Sequence, residues 1–164
     1  MRNNKGFTLI ELIIVMAIVG ILSVGSYFGA NMLGLGSAKS TVSRINSMLD
    51  YVQVENMTKN KTYYLIISEA GGHYSLSVMA GTQVISEEQL ELVRGEIKYT
   101  TKDGATHLVS GVPAPGVTAK ICFKKDTGGV ATNSGEVITR IEVSSAGSSY
   151  AIHLVEATGK HYID

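Results

Sequence analysis

The sequence predicts an α+β protein in which one long N-terminal helix precedes a head of antiparallel β-sheet. Three observations lead to this fold class. An apolar run with a single charge fills residues 7–35, and apolar residues then recur at helical spacing to about residue 60. Short β-rich runs separated by glycine- and serine-rich turns follow. We therefore expect a membrane half of the helix at residues 7–36, an amphipathic half at 37–60, and a head at 61–164.

Composition narrows the function classes. The 164 residues carry 14 basic and 14 acidic side chains, so the formal net charge is zero. This balance argues against steering of the whole protein onto nucleic acid or an anionic membrane surface. A hydrophobic fraction of 45 % and a mean hydropathy of +0.17 exclude a disordered, highly charged chain. Cys122 is the only cysteine, which excludes an intramolecular disulfide and a cysteine-built zinc site.

The apolar run at residues 7–35 is long enough for a membrane span, since about 20 apolar residues cross a bilayer. Arg2 and Lys5 precede it without an acidic neighbour, which predicts a cytoplasmic N-terminus and an exported chain after about residue 40. A secretory signal peptide cut near Gly25 is the alternative. Glu11 inside the apolar run, and apolarity that continues past Gly25, argue against that alternative.

The charge at Glu11 needs a physical reason, because a carboxylate at mid-depth in a membrane costs on the order of 2.5–3.5 kcal/mol. Residues 5–11 read KGFTLIE, and with the apolar run they resemble the leader of type IV pilins and pseudopilins. The resemblance implies a pilin-like fold and cleavage by a prepilin peptidase after Gly6. It also implies N-methylation of Phe7, and pairing of Glu11 with the N-terminal amine of a neighbouring subunit during filament assembly.

The second half of the helix is predicted from its apolar stripe. Apolar side chains recur at spacings of three and four residues, with charged residues between them; they are Val42, Ile45, Met48, Leu49 and Val52. This stripe predicts a helix as far as residues 57–60 that packs on the segments after it.

The head is predicted from alternating strands and turns. Residues 63–68 and 73–79 flank Gly71 and Gly72 and predict a hairpin. Ser86 and Gln89 fit the cap of a short helix that runs through Val93, whereas residues 91–93 also fit a strand. Residues 96–101 and 105–110 flank a second turn at 102–104, and 111–116 contain both prolines and predict a loop. Further strands are expected at 118–124, 137–144, 150–155 and 161–163.

The head also resembles the GspH/FimT-like minor pseudopilins. The likeness is carried by residues 49–51 and 59–61 before the first strand, by 121–123, and by 141–143 with 151–154. The disulfide loop of many major pilins is missing, because Cys122 has no second cysteine to pair with.

No catalytic constellation stands out in the sequence. The histidines are scattered and show no metal-ligand spacing; they are His73, His107, His153 and His161. The serines around Gly147 do not form a nucleophile-elbow motif, and no phosphate-binding glycine loop occurs. We therefore expect no enzyme activity, no cofactor and no metal.

The number and spread of basic side chains argue against nucleic acid as a partner. Five lysines offer a basic strip, namely Lys98, Lys102, Lys120, Lys124 and Lys125. Removal of Arg2 and Lys5 with the leader leaves 12 basic against 14 acidic side chains, however, and there is no arginine cluster.

These observations predict a structural subunit of a type IV pilus or a related type II secretion or competence pseudopilus. The expected partners are the prepilin peptidase, other pilin or pseudopilin subunits, the cytoplasmic membrane and, indirectly, the assembly platform and its ATPase. The protein would span the cytoplasmic membrane once before entering a surface filament. A monomeric membrane-anchored or secreted binding module is the alternative. The sequence leaves open whether the subunit is major or minor, which system it serves, what the head binds and what Cys122 does.

Overall fold

The structure, a computed structural model, describes residues 9–92, 94–110, 118–131 and 136–164, with the side chains of 21–36 left aside. Within these residues the fold is α+β with antiparallel sheets, as predicted. Its elements in chain order are α1 (Leu9–Thr58), β1 (Tyr63–Ala70), β2 (His73–Ala80), β3 (Gln83–Leu90), β4 (Gly95–Thr101), β5 (Thr106–Leu108), β6 (Ala119–Cys122), β7 (Ile138–Ser145), β8 (Ser148–Leu154) and β9 (His161–Ile163).

The strands form two sheets. The four-stranded sheet has the order β3-β2-β1-β6, and the five-stranded sheet has the order β5-β4-β7-β8-β9. The hairpin predicted around Gly71 and Gly72 is confirmed as β1–β2, and both glycines adopt positive φ, 61° and 84°, a conformation that glycine tolerates best. The turn predicted at 102–104 is confirmed between β4 and β5.

The short helix predicted from Ser86 is a strand in the structure, and Glu91 and Leu92, which the alternative placed in a strand, follow that strand. Residues 83–90 form β3, which pairs antiparallel with β2 from Tyr74 to Ala80, so the capped helix at 86–93 is wrong. The capping pattern is a local preference worth about 1 kcal/mol. Pairing along the whole of β2 outweighs it. Val93 and the loop expected at 111–116 lie outside the described residues.

The contacts divide the chain between Leu33 and Gly34. In the unit from Gly34 onward, one hydrophobic core joins α1 to both sheets. The predicted stripe on α1 lies in this core: Val42, Ile45, Leu49 and Val52 are 0–1 % exposed. Met48 is partly buried against it. The periodicity of the sequence thus identified the face of α1 that packs.

The C-terminal strand is attached to α1 by polar contacts around His161. The His161 side chain is 3 % exposed, and its Nε2 lies 3.0 Å from Oδ1 of Asp50 on α1. Its Nδ1 lies 2.9 Å from the carbonyl oxygen of Gly159. The Gln53 amide donates to the carbonyl oxygens of Gly128 and Thr158 at 2.9 and 3.1 Å. The helix therefore holds two loops of the head as well as the sheets.

Candidate functional site

The first described turns of α1 expose apolar side chains on every side. All residues from Leu9 to Gly20 are exposed, and the large apolar ones among them have exposed fractions of 50–77 %. A helix that is apolar all round requires cover from lipid or from other protein, because water solvates such a surface poorly. Residues 9–20 thus form an exposed apolar segment.

Glu11 is the one charged residue of the exposed apolar segment. It lies in the first described turn of α1. Cover by lipid or protein would remove water from this carboxylate and make an opposite charge at the same depth favourable. Glu11 is therefore the residue of this segment at which specific pairing can occur.

The other two predicted site residues, Gly6 and Phe7, lie outside the described residues. The predicted membrane half at residues 7–36 is likewise described only in part, since it includes Phe7 and the side chains of 21–36. Among the described residues, no helix combines the length and the apolarity needed to cross a bilayer.

The histidines occupy separate places in the head. His107 stacks on Tyr99 with 5.1 Å between ring centroids, and His153 stacks on Tyr162 at 5.3 Å. His73 begins β2, and His161 contacts α1. In the described ranges there is no group of three His, Cys, Asp or Glu side chains placed to share a metal ion.

The five lysines of the predicted basic strip do not lie on one sheet. Lys98 Nζ is 3.0 Å from Glu96 and Lys102 Nζ is 2.7 Å from Glu156. Both of these lysines belong to or follow β4 of the five-stranded sheet. Lys120 lies on β6 of the four-stranded sheet, and Lys124 follows that strand. The strip is thus split, and part of its charge is neutralised locally.

The comparisons with known proteins identify the leader. Residues 1–27 match the family model described as the prokaryotic N-terminal methylation motif. The chain therefore carries a prepilin leader of the type IV pilin kind, as the sequence resemblance predicted. The motif implies processing by a prepilin peptidase and assembly of the pilin type, with a membrane-anchored stage before a surface filament.

None of the curated proteins and none of the solved structures matches the chain. The resemblance of the head to the GspH/FimT-like minor pseudopilins stays a prediction. The family model covers residues 1–27 only, and through this leader it supports a precursor of the pilin-like or pseudopilin-like kind.

Proposed function

We propose that this protein is a non-catalytic structural subunit of a type IV pilus or of a related type II secretion or competence pseudopilus. The observation that carries the proposal is the overlap of two features in one stretch of chain. The methylation motif covers residues 1–27, and inside it residues 9–20 form a helix that exposes apolar side chains all round.

The proposed processing creates a positive charge close to Glu11 in the chain. Cleavage after Gly6 removes Arg2 and Lys5 and leaves a new amine at Phe7, which the peptidase then methylates. An ammonium and a carboxylate attract each other several times more strongly in an apolar surrounding than in water. The amine of one subunit beside Glu11 of its neighbour would therefore stabilise the packing of helices and set their register.

In this proposal the N-terminus of the precursor lies in the cytoplasm and the head outside, with residues 7–36 in the cytoplasmic membrane. The assembly platform and its ATPase would move the subunit from the membrane into the filament. The head would then lie on the filament surface, while the apolar helix takes its cover from neighbouring helices instead of lipid.

The first experiment is the intact mass and N-terminal sequence of the protein isolated from its native membrane. We expect a chain that starts at N-methylated Phe7. The variant Gly6→Val should retain its leader, because a branched side chain at the cleavage position hinders the peptidase. A wild-type chain that starts at Met1, or after Gly25, would instead identify a monomeric anchored or secreted binding module.

The second experiment tests the charge pair. We expect Glu11→Gln, which keeps the shape and removes the charge, to be processed normally and to be depleted at least about tenfold from sheared filaments. Glu11→Asp keeps the charge and is the matched control. We expect its amount in sheared filaments to lie between those of Glu11→Gln and wild type. Normal filament yield from Glu11→Gln would disprove the pairing role of Glu11.

A further inference from the structure

A row of four paired residues crosses the four-stranded sheet from one edge to the other. In the strand register, Glu87 on β3 lies opposite Ser77 on β2, and Ser77 lies opposite Ile66 on β1. Ile66 lies opposite Lys120 on β6. The row therefore begins with an acid at one edge of the sheet and ends with a base at the other.

Both end residues lie on the face of the sheet that points away from α1. The opposite face is the buried one, since Leu65 and Ile121 on it are 0 and 1 % exposed. Glu88, on that buried side, forms an ion pair with Arg44 of α1. Because side chains alternate along a strand, Glu87 and Lys120 point to the outer face.

The acidic edge carries charge that the described chain does not neutralise. Glu87 and Glu91 are exposed, and neither takes part in an ion pair with another described residue. Glu88 between them differs, because Arg44 neutralises it. No described strand pairs with the outer side of β3, so these carboxylates stand at an open edge.

The basic edge presents its charge through Lys120 and Lys124. The Lys120 ammonium lies 4.1 Å from the centroid of the Tyr64 ring, a cation–π contact that holds it on the outer face. Lys124 is exposed and has no ion-pair partner in the ranges that the structure covers. Lys124 lies two residues beyond the end of β6 at Cys122, so it is close to the same edge along the chain.

The backbone of β6 is partly occupied. Ala131 N–H donates to the carbonyl oxygen of Cys122 at 2.8 Å, and Phe123 forms an isolated bridge with Val130. A partner at this edge would therefore contact side chains and not extend the sheet by a continuous ladder.

We propose that the acidic β3 edge, Glu87 and Glu91, of one copy docks against the basic β6 edge, Lys120 and Lys124, of the next copy. The proposal rests on the proposed function, and it describes a contact between the globular heads of two neighbouring subunits in the filament. Two β3 edges repel each other, as do two β6 edges, whereas a β3 edge and a β6 edge attract. Charge at strand edges commonly prevents self-association, but opposite signs on the two edges exclude only the symmetric pairings.

The geometry of this contact suits a filament. When the β3 edge of one copy binds the β6 edge of the next copy, the row of copies has a free β3 edge at one end and a free β6 edge at the other. Copies can therefore be added without limit unless the rotation closes a ring. A symmetric dimer would use up its surface after one contact. The charge arrangement of the four-stranded sheet thus selects the open-ended mode.

Charge reversal and charge exchange provide the first test, in cells that produce the full-length protein. We expect Glu87→Lys and Lys120→Glu each to lower filament yield by about tenfold, since attraction becomes repulsion. The double variant Glu87→Lys/Lys120→Glu should recover most of the yield, because its edges are complementary again. Glu96→Lys on the other sheet is the matched control and should assemble as wild type does, although it loses its contact with Lys98.

Zero-length carbodiimide coupling provides the second test, because it joins a carboxylate to an amine only at ion-pair distance. Within one copy the two edges are three strand spacings apart, roughly 14 Å. An amide bond between Glu87 and Lys120, found by mass spectrometry of intact filaments, therefore joins two copies. We also expect coupling to decrease in high salt, since exposed charges are screened within about 10 Å at 0.1 M.

The outcomes separate this proposal from the proposed function. One outcome would overturn the edge contact and leave the subunit role intact. In it, filaments contain the protein and tolerate both charge reversals, but no amide bond joins Glu87 or Glu91 to Lys120 or Lys124. Coupling of Glu87 to a different protein would overturn the choice of a second copy. If the chain is processed but is absent from filaments, the subunit role is disproved. If, in addition, carbodiimide yields no amide-linked dimers in the membrane, the edge contact is disproved too.

Discussion

Asn56 near the end of α1 holds both backbone groups of Tyr63 at the start of β1. Its side-chain amide donates to the carbonyl oxygen of Tyr63 at 2.8 Å, and its Oδ1 accepts from the Tyr63 N–H at 2.9 Å. Asn56 is 0 % exposed. One side chain therefore satisfies the buried backbone at the point where the chain leaves the helix and enters the sheet.

We expect Asn56→Ala to destabilise the protein by about 2–4 kcal/mol, because it leaves two buried backbone groups without partners. Thermal or denaturant unfolding of the full chain in detergent measures this loss. Thr58→Ala is the control, since its exposed hydroxyl donates only to Val54 of the same helix. Equal stability of the two variants would show that Tyr63 finds other partners.

Gly159 tests how closely the C-terminal segment packs. It adopts φ of 66°, and a Cβ there would lie 2.0 Å from the Gly128 carbonyl oxygen and 2.8 Å from the Phe123 ring. Gly81 has nearly the same φ, 65°, with no atom within 4 Å of a Cβ. The two glycines therefore differ in space and not in backbone conformation.

We expect Gly81→Ala to cost about 1–2 kcal/mol, the strain of a left-handed residue alone. Gly159→Ala should cost at least about 1–3 kcal/mol more, because the backbone of the neighbouring loop must move. Chemical denaturation of both variants gives the difference directly. If the two free energies of unfolding agree, the contact between Gly159 and Gly128 is looser than the structure shows.

The parts of this fold that the sequence predicted depend on local patterns. Apolar spacing marked the buried face of α1, which includes Ile45 and Leu49, and the glycine pair at 71–72 marked the first hairpin. Each signal lies within a few residues, so it can be read without knowledge of what packs against it. The leader is a linear motif for the same reason and is matched over residues 1–27, while the roles of Gly6, Phe7 and Glu11 stay predictions.

The parts that escaped prediction depend on distant pairing. The division into two sheets follows from β1 pairing with β6, as in Leu65 opposite Ile121, for which no local signal exists. The strand β3 was not predicted, because the local capping pattern at Ser86 indicates a helix and the pairing with β2 has no local signal. The row from Glu87 to Lys120 arises only from strand register, so the composition of either strand alone does not reveal it.

Tyr74 links the two sheets, and its phenol makes the free energy of unfolding depend on pH in the alkaline range. Its hydroxyl oxygen accepts from the Ile97 N–H at 3.3 Å. Burial holds the pKa of the Tyr74 phenol above its ordinary value of 10.0. The folded protein therefore keeps this proton at a pH where the unfolded chain begins to lose it. The resulting stability is complete below pH 10 and is lost as the pH rises through the folded pKa.

We expect the free energy of unfolding to fall above pH 10, and to fall less steeply in Tyr74→Phe. At pH 7 this variant should be less stable by about 1 kcal/mol, because the Ile97 N–H loses its partner. Burial also raises the pKa of Tyr99, so part of the slope should remain. Identical alkaline slopes for wild type and variant would contradict the role given to Tyr74.

Cys122 offers a labelling test of the head, because its thiol is buried. Burial raises the pKa of the Cys122 thiol above its ordinary value of 9.0, and the thiolate is the form that reacts. We expect alkylation of the folded chain at pH 7–8 to be at least about tenfold slower than alkylation in denaturant. The matched control is Ser86→Cys in a Cys122→Ser background, since Ser86 is exposed on β3. If wild type is alkylated as fast as this control, β6 opens readily in solution. The buried position of Cys122 would then be contradicted.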